Sequence, residues 1–171
     1  MGYGSSYVDV AERARATRTL ADPDAFFSAD MQDLEQPNSP LVAVIDDSFV
    51  VRQVVVIGLA RAKIEAAAYS DGFAALDAWQ SGRIAPPRVL LLDIGMPKLS
   101  GYEVAKLIHG KDGFNDTRII MLSGYHGMVD RAHSKLVGAS DFIAKPFKSG
   151  LLVAKVRHAL GLFDPDAEWP E

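Results

Sequence analysis

Residues 89–92, Val-Leu-Leu-Leu, form an apolar run that hands the chain directly to Asp93 and then to the turn sequence Ile94-Gly95-Met96-Pro97. Leu90, Leu91 and Leu92 are apolar at successive positions, so neither face of a strand built from them can meet water. An ionised carboxylate is not stable inside such a layer, and Asp93 must stand where the strand leaves it. Open parallel sheets bind their ligands in the crevice at the carboxyl ends of the strands, which places Asp93 for chemistry. The competing reading is a side chain that only caps the turn before Met96-Pro97.

From residue 41 onward short apolar runs alternate with longer helical ones. Residues 41–45 read as a first strand closed by Asp46-Asp47, and residues 64–69 as a weak second strand. Residues 48–62 are rich in Val, which favours strand on propensity, but fifteen positions without turn chemistry exceed a buried strand and predict a helix. In that helix Arg52, Gln53 and Arg61 are expected to face water, and Gly58 to be a local weakness. Residues 72–80 predict a second helix, 89–92 the third strand, 102–108 a third helix, 118–122 a fourth strand and 128–137 a fourth helix. Residues 142–144 predict a fifth strand, and 151–160 a last helix stopped by Gly161. Five strands alternating with five helices call for a flavodoxin-like (βα)5 architecture, α/β class, with a doubly wound parallel sheet in strand order 2-1-3-4-5.

The flanks differ. Residues 1–40 lack a buried-strand run and are rich in Ala, Arg, Asp and Ser. Asp22-Pro23 marks a helix start, and Phe27, Met31 and Leu34 then share one face, predicting a short acidic helix over 23–35 that packs on the chain's own domain or docks a partner. Residues 7–20 have helical composition with a poor apolar face, and Pro37-Asn38-Ser39-Pro40 reads as a linker. The expected organisation is an extension over 1–40, one domain over 41–161 and an acidic tail over 162–171, with no fused output domain.

The formal net charge of −4 argues against a surface built for nucleic acid. The absence of cysteine eliminates disulfides, thiolate metal sites and cysteine nucleophiles. No apolar run approaches the ~20 residues needed to span a bilayer, and no secretory signal is visible, so a cytoplasmic location without membrane contact is expected. The myristoylation-like start Met1-Gly2 and the sequon Asn115-Asp116-Thr117 match permissive patterns and carry no weight. His109, His126, His133 and His158 show no metal-ligand spacing.

Residues just past the strands of a parallel sheet share one rim. Here they are Asp46 and Asp47, Asp93, Ser123 and Lys145. Three crowded carboxylates repel unless a cation compensates, and all-oxygen ligands suit a hard divalent ion, best Mg²⁺. With such an ion in place a carboxylate oxygen of Asp93 is able to attack a phosphoryl group, with Lys145 as a point charge and the Ser123 hydroxyl as a hydrogen-bond donor. Taken singly, each residue also reads as a helix cap, a turn residue or a surface amine. No glycine-rich phosphate loop follows the first strand, which argues against a nucleotide-binding enzyme. An aspartyl hydrolase is disfavoured because Asp93-Ile94-Gly95 lacks a second carboxylate.

Together these residues resemble the receiver domains of two-component response regulators, of which CheY is the minimal form. The resemblance covers residues 41 to about 161 and is carried by Asp46-Asp47, Asp93, Met96-Pro97, Gly101, Ser123-Gly124 and Lys145-Pro146-Phe147. The spacings also agree, thirty positions from Asp93 to Ser123 and twenty-two from Ser123 to Lys145.

The resemblance implies that Asp93 accepts a phosphoryl group from a sensor histidine kinase or histidine phosphotransfer protein. It implies Mg²⁺ held by Asp46, Asp47, Asp93 and the backbone carbonyl of Gly95, and a switch formed by Ser123, Gly124, Lys145 and the aromatic Phe142. It also implies a cis bond before Pro146. The new charge of about −2 would then bias the face made by the fourth helix, fifth strand and last helix toward an unidentified downstream protein or a homodimer. The chain is expected to be no enzyme beyond its own autophosphorylation and autodephosphorylation. The alternatives are a scaffold or dimerisation module independent of phosphate, and a phosphorelay intermediate or phosphate sink. Gly95 offers no side chain to position or block the hydrolytic water, and Tyr125, two residues past Ser123, is bulky.

Overall fold

A computed structural model of the chain describes residues 41–124 and 137–162. Five parallel strands, β1 (Val42–Ile45), β2 (Ala66–Tyr69), β3 (Val89–Asp93), β4 (Arg118–Ser123) and β5 (Asp141–Ala144), form one sheet in the order β2-β1-β3-β4-β5. Four described helices accompany them: α1 (Phe49–Arg61), α2 (Gly72–Gln80), α3 (Gly101–Ile108) and α4 (Ser149–Ala159). This is the doubly wound order the alternation of strands and helices predicts. The helices expected over 7–20, 23–35 and most of 128–137, and the tail beyond Leu162, lie outside the described residues. Val137, assigned to the end of the fourth helix, lies in a turn.

The period-two geometry of the strands sorts the core into two layers. Ala43, Ile45, Leu90, Leu92, Ile119 and Met121 point to one face and pack with residues of α2 and α3, among them Trp79, Val104 and Ile108. Val42, Val44, Val89, Leu91, Ile120 and Leu122 point to the other and pack with Val55 and Leu59 of α1 and Leu152 and Val156 of α4. Because β1 and β3 are covered on both sides, every residue of these strands is buried. At about 25 cal/mol per Å² of apolar surface removed from water, these two layers are the main stabilising term.

Three of the four described helices, α1, α2 and α3, are capped by a side chain at their start. Asp71 accepts from the Ala74 amide at 2.9 Å to open α2. Ser100 and Glu103 form a reciprocal capping box at α3, in which Glu103 accepts from the Ser100 amide at 2.8 Å. The second strand begins later than expected. Ile64 is buried but belongs to the turn closing α1, where its amide donates to the Leu59 carbonyl at 2.9 Å.

Gly58 is buried where α1 meets α4, and a Cβ built there would sit 3.6 Å from that of Ser149, an ordinary contact. One expectation for α1 is corrected: Arg52 is only partly exposed and folds back over the strand end. The face of α1 that does meet water is apolar, with Val50, Val54 and Ile57 exposed at 68, 38 and 47%. Their i, i+4, i+7 spacing makes one continuous stripe.

Candidate functional site

The parallel ladders bring the ends of β1, β3, β4 and β5 to one edge. Ile45 pairs with Leu92, Asp93 with Leu122, and Ser123 with Ala144. Asp93 and Ser123 prove to be the last residues of their strands and sit on the ladder itself, while Asp46, Asp47 and Lys145 follow just past the ends of β1 and β5. The Lys145 amide donates to the Ser123 carbonyl at 2.7 Å, extending the ladder one step further.

Three carboxylates converge there. One oxygen from each of Asp46, Asp47 and Asp93 lies within 4.8 Å of the others. Asp46 is fully buried, Asp93 is 5% exposed, and Asp47 opens to solvent. Asp46 Oδ1 accepts from the Ser48 amide at 2.9 Å. Asp46 Oδ2, also buried, has the Lys145 ammonium at 2.6 Å as its partner. The same ammonium stands 2.8 Å from Asp93 Oδ1, so one cation bridges two buried anions.

These contacts set the protonation behaviour. Burial pushes the Asp46 carboxyl above its ordinary value, and the Asp93 charge adds to this, while Lys145 and the Ser48 amide offset only part. Burial works against the Lys145 charge, yet the hydrogen bonds and charges of Asp46 and Asp93 outweigh it and hold the ammonium above the usual lysine range. Three carboxyl groups thus share one lysine. A half-used buried oxygen on Asp46 beside two further carboxylates is a donor set that fits a hard divalent cation.

Gly101 explains how the loop is held. A Cβ on it would lie 2.3 Å from the Asp93 carbonyl oxygen, so only glycine lets the start of α3 press against the backbone of Asp93. The Gly101 amide donates to the Ile94 carbonyl at 3.3 Å, and Met96 is buried beneath the loop. Lys98 adopts a left-handed φ of 68°, a local strain of about 1 kcal/mol held by its neighbours. A Cβ at Gly95 would lie 3.9 Å from Asp93 Oδ2, so the absent side chain leaves room beside that oxygen.

Of the remaining residues named from sequence, Ser123 is buried at the end of β4 and Gly124 is exposed, with open space where a Cβ would project. Phe142 is half-buried on β5 and packs against the α2/α3 layer. The Lys145–Pro146 bond is cis. Tyr125 lies outside the described residues. Sequence reasoning missed Arg52, whose Nη1 donates to the carbonyls of Asp46 at 2.7 Å and Asp47 at 3.1 Å. Its guanidinium also stands 5.8 Å from the Phe49 ring centroid. An Arg in the first turn of a helix that follows an acidic pair was the available signal, since that turn faces the carbonyls just before it.

Residues 42–157 match the response regulator receiver domain family. Among curated relatives, protein PilG of Pseudomonas aeruginosa is 33% identical over 135 residues, covering 77% of this chain and 96% of PilG. The probable transcriptional regulator ycf27 of Cyanophora paradoxa is 32% identical over 72% of this chain but only 49% of its own length; the chain spans about half of several such curated relatives. Solved structures agree. The chemotaxis protein CheY4 of Vibrio cholerae superposes with a TM-score of 0.63 at 29% identity, covering 71% of this chain and 98% of CheY4. A response regulator receiver protein from Burkholderia phymatum reaches 0.66 at 27% identity, covering 74% of this chain and 98% of that one. With its strand order, its acidic rim and these matches in agreement, the chain belongs to the response regulator receiver domain family of two-component systems.

Proposed function

We propose that this receiver domain is switched by phosphorylation of Asp93. The observation that carries the reading is the convergence of three carboxylates within 4.8 Å, with the Lys145 ammonium shared between Asp46 and Asp93. Asp46, Asp47 and Asp93, with the Gly95 carbonyl, are the groups that would hold Mg²⁺, which when bound spreads positive charge over the transferring phosphoryl oxygens. An Asp93 carboxylate oxygen attacks the phosphorus of a phosphohistidine, and the P–N bond breaks. The electron pair leaves with the imidazole of the kinase or phosphotransfer partner, which takes up a proton. Oδ2, on the side where Gly95 leaves room, is the oxygen placed for this attack.

Once Asp93 carries the acyl phosphate, the Lys145 ammonium pairs with a phosphoryl oxygen, and the Ser123 hydroxyl at the neighbouring strand end donates to another. Phe142 on β5, partly buried against the core layer of α2 and α3, follows that movement. The donor protein docks on the exposed stripe Val50, Val54 and Ile57, because α1 starts immediately after Asp46-Asp47 and leads a partner to the acidic rim. The downstream protein reads the face that includes β5 and α4.

The test is to incubate the protein with a small phosphodonor and Mg²⁺ and follow its intact mass. A single phosphoryl adduct, absent in Asp93→Asn and absent after chelation, is the expected result. No adduct under any condition would leave a phosphate-independent scaffold. Val54→Glu and Ile57→Glu are expected to slow transfer from the partner kinase at least tenfold without changing transfer from the small donor.

A further inference from the structure

The sheet has a second charged edge. At its amino end a cavity of about 630 Å³ opens between the entries to β3, β4 and β5 and the last turn of α4. That volume lies within the range of small-molecule sites, roughly 300–1,000 Å³. We propose that it binds a small phosphate-bearing molecule through Arg88 and Arg118.

The argument rests on which charges there are already used. Asp141 is spent: its Oδ1 accepts from the Phe142 amide at 2.7 Å, and its Oδ2 is paired with Lys155 at 2.6 Å. That pair adds no net charge. Arg88, just before β3, gives one N–H to the Leu160 carbonyl at a long 3.4 Å, leaving most of its donors for other partners. Arg118, the first residue of β4, makes no ion pair among the described residues. The Arg118 amide donates to the Arg88 carbonyl at 2.8 Å, so the two residues are neighbours at the strand entries, and both line the cavity. Two guanidinium groups therefore face one remaining carboxylate, Asp116.

Adjacent guanidinium forks suit a phosphate dianion, whose charge matches two monocations and whose oxygens accept paired N–H bonds. A lone carboxylate offers half that charge. Asp116 and Asn115 on the same wall accept hydrogen bonds from hydroxyl or amino groups, which favours an organic phosphate over the bare ion. The site is separate from the Asp93 rim, at the other end of the same strands.

The full chain, without Mg²⁺, would be titrated with inorganic pyrophosphate and with adenosine 5′-monophosphate while backbone amide resonances are followed. Saturable shifts at Arg88, Arg118, Ser140 and Gly161, with the Asp93 and Ser123 amides unmoved, are expected for at least one probe. Arg118→Gln and Arg88→Gln should each weaken binding at least tenfold in a chain whose spectrum shows the fold intact. Shifts confined to the Asp93 rim, no saturation at millimolar probe, or affinity unchanged in both variants would overturn the proposal.

Discussion

The two ends of this sheet carry similar residue types under different burial. At the carboxyl edge Asp46 and Asp93 are buried, and both are bound to Lys145, whose side chain is 19% exposed. At the amino edge Arg88, Arg118 and Asp116 are exposed, and the Lys155–Asp141 pair is 22 and 40% exposed at its two side chains. A charge in the first setting shifts its neighbours' proton affinities, and removing it leaves a buried ion uncompensated. In the second, solvent and salt absorb most of the same change.

The largest effect expected from this contrast is Lys145→Met, which strands two buried carboxylates. We expect a loss of about 3 kcal/mol in denaturant melts, against less than about 1 kcal/mol for Lys155→Met at the amino edge. Equal losses would erase the distinction. Gly101→Ala comes next, because its Cβ must displace the backbone of Asp93: a loss of about 2 kcal/mol, with slower phosphoryl uptake. Asp46→Asn should act in the opposite direction, stabilising by on the order of 1 kcal/mol because a charge held at a desolvation cost is removed, while Mg²⁺ no longer raises the melting temperature.

The pH profile sharpens the same point. A folded-state value raised above the unfolded one means stability present at low pH and lost as pH rises through the folded value. For Lys145 that loss falls in the alkaline range above the ordinary lysine value, and Lys145→Met should flatten the alkaline limb of the melting curve. For Asp46 the raised value makes its ionised form a liability near neutrality that is relieved on acidification, and Asp46→Asn should remove that relief. Smallest of all is the exposed Arg83–Asp77 pair, where Asp77→Ala should change stability by less than about 0.5 kcal/mol.

Much of this was legible in the residues. The Leu90–Leu92 run marked a strand covered on both faces, and the length of the Val-rich segment overrode its strand propensity to give α1. The rim residues followed because a parallel sheet delivers all its strand ends to one side. What escaped was tertiary. The second strand was expected over 64–69, and only its start escaped: pairing with β1 begins at Ala66. Arg52 was read as a surface residue because nothing in helical periodicity reveals that a first-turn side chain can reach back to the preceding carbonyls.

The close approach of Gly101 to the Asp93 carbonyl gives Asp93 a backstop. With the main chain behind it wedged against a helix start, Asp93 would have no slack in which to recoil under the proposed phosphorylation. Any rearrangement is therefore forced forward and sideways, toward the strand ends that hold Ser123 and Lys145. A rigid anvil on one side is what lets a small chemical change on the other be delivered as displacement instead of being lost as local give.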